Sequence, residues 1–275
     1  MRSPRNPSRR NRNIGTAKQG HGVNNRLVIP KGAWRDEREF TERLVNPREY
    51  SFEVYGEKKI ALVEEPTPGH FYGCTIADIE HLLGMASEQD VSGLEVFLFR
   101  NPTRKQRLLS SVWGRFLYYA RPGKYEGSAI CFESQSLEPL SWKKSLGPED
   151  QREMNRLRED GHRIELGRRS VEVHLSHASI RATTLFRTAL HEIGHYVDWM
   201  TNVIDFEGTA EEGEYASRTF YSKPSAMKED FAHRYALEAF ERLKSEGKAP
   251  FGVRWDTEPM ESSEILRHWF VGEDA

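Results

Sequence analysis

Thr188-Ala189-Leu190-His191-Glu192-Ile193-Gly194-His195-Tyr196-Val197-Asp198 is the stretch on which the reading of this chain turns. Ala189, Leu190, Ile193, Gly194, Tyr196 and Val197 are uncharged and no proline interrupts, so a helix can run through it. Side chains four apart on a helix lie one above the other. His191 and His195 therefore share a face and can hold one zinc ion. Glu192, beside the first histidine, is placed to take a proton from a zinc-bound water.

Helical phase sharpens this. At about 100° per residue, with Phe186 at zero, Ala189, Leu190, Ile193, Val197 and Met200 fall within about 60° and form one apolar stripe. His191 and His195 fall at about 140° and 180°, and Glu192 near 240°. The apolar face is expected to fix the helix to the body of the protein, and the opposite face to present the ligands to a cleft.

The whole chain sets the bounds. Its 275 residues suit one large domain or two lobes, and its 6 Trp, 14 Phe and 10 Tyr suffice for a core. No stretch approaches the roughly 18 apolar residues of a membrane span, so no membrane contact is expected. Two cysteines, Cys74 and Cys131, are too few for a disulfide framework, and the basic N-terminus leads into no apolar signal segment. A cytoplasmic setting is expected, with export by a non-classical route left open.

The net charge of -2 hides an asymmetry. Residues 1–35 carry nine Lys and Arg and no acid, leaving 31 basic against 42 acidic residues in the remainder. This arm is rich in Pro, Ser, Asn and Gly and is expected to be disordered, either as a plain solvated tail or as a contact for nucleic acid or an acidic partner. The acidic body argues against a broad nucleic-acid surface.

Along the chain, Glu37 to Glu49 reads as a short helix or docking segment. Ser51 to Glu64 reads as a strand pair turning near Gly56. Thr75 and Asp78 open a helix through about Ser87. Strands follow at Gly93–Arg100, Arg115–Ala120 and Ser128–Glu133, then a charged helix at Gln151–Asp160. Val171 to Leu175 alternates strictly, as a strand with one solvated face does. Ser176 or Ser179 begins the motif helix. The acid-rich stretch from Met200 to Ser225 reads as loop, and a second long helix runs from about Ser225 to Glu246.

A catalytic zinc usually has three protein ligands and one open position. The metzincin extension fails, because Asp198 and Thr201 stand where it needs glycine and histidine. The later helix offers a glutamate instead. Its apolar residues Phe231, Ala232, Tyr235, Ala236, Ala239, Phe240 and Leu243 centre on one face. Glu229 lies about 75° from that centre and Asp230 about 175°. Phase therefore favours Glu229 as third ligand, with Glu214 as its rival. Asp198 shares the face of both histidines, where a carboxylate can accept a ring N–H or simply meet solvent.

His191-Glu192-Ile193-Gly194-His195-Tyr196-Val197-Asp198, followed by Glu229, Ala232, Tyr235 and Ala236 at their spacing, resembles the gluzincin-type zinc metallopeptidases. The nearest patterns are the lethal-factor-like proteases and the regulator-cleaving peptidases of the ImmA/IrrE type. The resemblance covers about residues 180–240; residues 1–170 carry none. It implies an α+β, zincin-like fold: a twisted mixed sheet and an active-site helix, then a smaller helical C-terminal lobe. The expected divisions are a disordered basic arm (1–35), an N-terminal lobe with sheet and motif helix (36–200) and a helical lobe carrying the third ligand (201–275). It also implies that Val171–Leu175 is an edge strand along which a peptide lies.

The chain departs from the lethal-factor pattern at two places. His233 stands where a carboxylate is common, and the expected tyrosine is displaced, with Tyr221 eight residues before Glu229 and Ser222 seven before. Tyr221, Tyr215 and His233 are the candidate stabilisers of the transition state. The expected function is zinc-dependent endopeptidase action on a protein or peptide, with one Zn²⁺ per chain on His191, His195 and Glu229, and Glu192 as general base. The alternatives are a non-catalytic binding or regulatory module on a zincin scaffold, and a structural zinc site.

Overall fold

The computed structural model describes residues 43–103 and 112–271. The basic arm at 1–35, and residues 37–42 of the segment expected to be helical, lie outside the described residues. Residues 43–47 are irregular, and β1 begins at Arg48.

β1 (Arg48–Val54) and β2 (Glu57–Val63) form an antiparallel hairpin through Tyr55 and Gly56. Both turn residues have positive φ, 54° and 76°, the backbone that matches a two-residue turn to strand twist. β3 (His70–Phe71) is a short stub. The helix α1 (Ile76–Leu83) opens at Thr75, whose hydroxyl accepts from Asp78 N–H while the Asp78 carboxylate accepts from Thr75 N–H. α2 (Glu88–Val91), β4 (Val96–Arg100), β5 (Gly114–Ala120), β6 (Gly127–Glu133) and β7 (Gln135–Ser136) follow.

The main sheet runs β1-β2-β4-β6-β5. β2, β4 and β6 are mutually parallel, while β1 and β5 pair antiparallel to their neighbours. The chain is thus α+β with a mixed sheet. Strand β4 reads as an unbroken apolar run because it is buried on both faces. Phe97, Phe99, Ile130 and Phe132 face a core shared with the helices, whereas Val96, Leu98, Ala129 and Cys131 face the other side. Cys74 and Cys131 are buried free thiols.

β8 (Leu140–Lys143), α3 (Pro148–Glu159), β9 (Arg163–Leu166) and β10 (Ser170–His174) form a second layer. Here one expectation is corrected. β10 takes in the alternating stretch as far as His174, and its Val171 and Val173 are buried as the alternation required. Yet it is the middle strand of a sheet ordered β8-β10-β9, paired on both sides. It has no free edge for a peptide. Alternation reports which face is buried but not which strands flank it, and the short charged flanks gave no strand signal. Among the described residues, the unpaired edge near the motif belongs to β5.

Residues 177–204 are helical throughout: α4 (His177–Arg181), a π stretch (Ala182–Ala189), α5 (Leu190–Trp199) and a second π stretch (Met200–Ile204). Ser176 is the N-cap and Ser179 its reciprocal partner. The loop expected from Met200 to Ser225 is also corrected, since α6 (Ala210–Ser222) occupies much of it. Thr209 and Glu212 close a capping box there. Glu211 and Glu212 of the acid-rich stretch are first-turn residues favoured by the helix dipole. α7 (Ser225–Ser245), α8 (Thr257–Ser262) and a 3₁₀ turn (Arg267–Trp269) are the last helical elements among the described residues. Contacts group residues 41–275 as one unit, and the expected boundary at 200/201 falls inside it. Among the described residues no helix is long and apolar enough to cross a membrane.

Candidate metal centre

α5 carries the motif and packs against both β5 and α7. It is more enclosed than an amphipathic surface helix. Leu190 and Ile193 are buried as phase required, but Glu192, Tyr196, Asp198 and Trp199 are buried as well. His191 and His195 are half-buried, and so is Val197 of the apolar stripe. The reason is that α5 has neighbours on several sides. Phe116 of β5 meets Tyr196 and Trp199 edge to face or tilted. Tyr196 donates its hydroxyl to the Ser92 carbonyl, and Tyr235 of α7 donates to Asp90 Oδ2 at 2.7 Å. Both helices are thereby tied to residues 90–92.

Gly194 sets how closely α5 and α7 approach. A Cβ there would stand 3.0 Å from Ala232 Cα, 3.1 Å from the Ala232 carbonyl oxygen and 3.1 Å from Tyr235 Cβ. Two of those atoms are backbone, so only movement of a helix relieves the clash. Gly194→Val is expected to cost about 1–3 kcal/mol of stability by overpacking and to weaken metal binding. Denaturant unfolding and metal competition check this, and unchanged values in both would mean that the two helices are not held this close.

The side chains of the two helices converge. His191 Nε2 lies 3.2 Å from Glu229 Oε2, and His195 Nε2 lies 3.6 Å from Glu229 Oε1. Two atoms bound about 2.0–2.1 Å from one tetrahedral ion stand about 3.3–3.4 Å apart. The observed separations bracket that value, and two imidazoles with a carboxylate are a donor set that zinc accepts. The residues present fit the ion. Hydrogen bonds from His191 and then His195 hold the Glu229 carboxyl well below the usual carboxylate range, so it is ionised.

Glu192 is 5% exposed. Burial raises its pKa, while the charges of His191 and His195 and a hydrogen bond from the Phe116 backbone oppose the rise. For His195, burial pulls downward, but the Glu229 hydrogen bond and the charges of Glu192, Glu229 and Asp198 prevail and raise it. Asp198 is buried against Asn202, whose amide donates to it at 2.9 Å, with Lys223 at 3.8 Å. It acts on His195 through its charge.

The other sequence candidates separate. Asp230 is exposed, and Glu214 is exposed and paired with Arg218 at 2.6 Å. Tyr215 is 71% exposed. Tyr221 accepts from Trp199 Nε1 at 3.0 Å and stacks edge-on with Tyr118. Neither Tyr215 nor Tyr221 lines the cleft above the motif. His233 lies against His191, ring centroids 4.3 Å apart. Burial first, then the charge of His191, lowers its pKa to about 4.

That cleft, of about 480 Å³, is lined by Gly114, Arg115, Phe116 and Tyr118 of β5, by the motif residues, and by Lys228 and Glu229 of α7. Tyr118 is the residue that sequence reasoning missed. Its pKa is raised by burial and then by Asp198, Glu229 and Glu192, which places the ring among the site's carboxylates. The signal was only its place on a strand, and nothing in the sequence put that strand beside the motif. Compared with family models, curated proteins and solved structures, the chain matches none.

Proposed function

We propose that the chain is a zinc-dependent endopeptidase with a zincin-type arrangement. The observation that carries this is the convergence of His191 and His195 from α5 on the Glu229 carboxylate from α7, with buried Glu192 alongside. His191, His195 and Glu229 hold the ion, which when bound supplies a Lewis acid and a water of lowered pKa. Glu192 takes the proton from the attacking water and passes it to the leaving amine as the C–N bond breaks. The substrate is a protein segment in extended form, laid along the open edge of β5 by backbone pairing. A folded helix would offer that edge no free backbone groups.

Tyr118 is proposed as the donor to the developing oxyanion. Its hydroxyl has no hydrogen-bond partner among the described residues, and a raised pKa keeps it protonated. Tyr118→Phe is expected to lower kcat about 10²–10³-fold, as loss of one such donor does, with KM nearly unchanged. An unaltered kcat removes Tyr118 from this role.

The test of the whole reading joins metal content to cleavage. Purified protein should carry close to one zinc, cleave an unfolded protein, and lose cleavage on chelation. Zinc without cleavage would favour the binding module on the same scaffold. Cleavage that survives complete chelation would overturn the assignment.

A further inference from the structure

α5 and α7 each present a pair of donors at the same spacing. On α5 these are His191 and His195, and on α7 they are Glu229 and His233. Residues four apart share a helix face, so two facing helices offer four donors rather than three. One nitrogen of His191, one of His233 and a carboxylate oxygen of Glu229 all lie within 4.8 Å of one another. The separation required around a tetrahedral ion is about 3.3–3.4 Å, so among these three at most about 1.5 Å has to close; His195 is outside that cluster and joins it through Glu229 Oε1 at 3.6 Å. The rings of His191 and His233 already touch, tilted by 40°. The close approach at Gly194 and Ala232 holds the backbones together at this level.

We infer that His233 is a fourth protein ligand of the metal centre, giving a closed resting site that opens when His233 withdraws. This rests on the zinc reading above and adds a form of self-regulation to it. Four protein ligands leave no position for water, which is the property of structural rather than catalytic zinc sites. The ring has space to leave. His233 also borders a cavity of about 820 Å³ beside Phe186, Leu237 and Phe240, and its lining includes none of the other three donors. A peptide on β5 that brings its own carbonyl oxygen to the ion would take the vacated position.

The test uses the full chain loaded with zinc alone. X-ray absorption at the zinc edge should count three imidazoles in the parent and two in His233→Ala. Zinc affinity, measured against a competing chelator, should fall at least about tenfold in that variant, the lower end of losses seen for groups that support a metal. His233→Gly should regain affinity on addition of free imidazole, which separates ligand loss from damage to the fold. At saturating zinc, hydrolysis by His233→Ala should be faster than that of the parent, because the position that His233 fills is then open. A fall of about 10²–10³-fold would instead make His233 the oxyanion donor and overturn the inference. Two imidazoles in the parent, with affinity unchanged in His233→Ala, would also overturn it and leave the peptidase reading standing. A parent that takes up no zinc would overturn both.

Discussion

Glu192→Gln is expected to keep its zinc and lose hydrolysis by about 10²–10⁴-fold, the range that a positioned general base contributes. The replacement has nearly the same shape, and its amide oxygen can still accept from Phe116 N–H. What it lacks is basicity. Glu192 is not among the atoms that converge on Glu229, so the metal should remain at close to one per chain. Stability should hold or rise, because a buried charge is replaced by a neutral group. Metal content, the thermal midpoint and single-turnover cleavage check the three parts. Cleavage at the parental rate would remove Glu192 as base. Loss of zinc would mean that its carboxylate is a ligand.

Glu229→Ala is expected to lower zinc affinity by more than about a hundredfold. Loss of a group that only supports a ligand already costs about 10–100-fold, and Glu229 faces both histidines directly. The neighbouring Asp230→Ala should leave affinity within about twofold: both carboxylates are exposed, but the two histidines pair with Glu229 and not with Asp230. The pair is informative because both variants remove one carboxylate from the same helix turn. Long-range charge effects are then nearly matched, and only the direction of the side chain differs. Competition with a chelator at fixed pH measures both. A larger loss for Asp230→Ala would transfer the third-ligand role to it.

Much of the centre was legible because it depends on local geometry. The four-residue spacing of His191 and His195 follows from helix pitch, and so does the choice of Glu229 over Asp230. The cap at Thr75 and Asp78 is local chemistry too, as is the positive-φ turn at Tyr55 and Gly56. These features need only a few neighbouring residues, so a sequence can state them.

Other features depended on partners far along the chain. Alternation at 171–175 announced a half-buried strand, but only the pairing with β8 and β9 made β10 central. Among the described residues the same pairing rules left β5 at the edge, and its packing against α5 put Tyr118 in the cleft. Trp199 engaged the hydroxyl of Tyr221 from 22 residues away, and α6 formed where an acidic stretch had read as loop. His233 met His191 because Gly194 allowed two helices to close.

The sequence by itself therefore determined that His191 and His195 share a helix face, and that Glu229 rather than Asp230 stands at the edge of the buried face of its helix, because backbone helicity fixes the angles between them. The tertiary structure alone decided which strand borders them, which tyrosine faces them and how near His233 comes. Those are set by packing between elements distant in the chain, where van der Waals contact and sheet hydrogen bonds, not helical period, choose the neighbours.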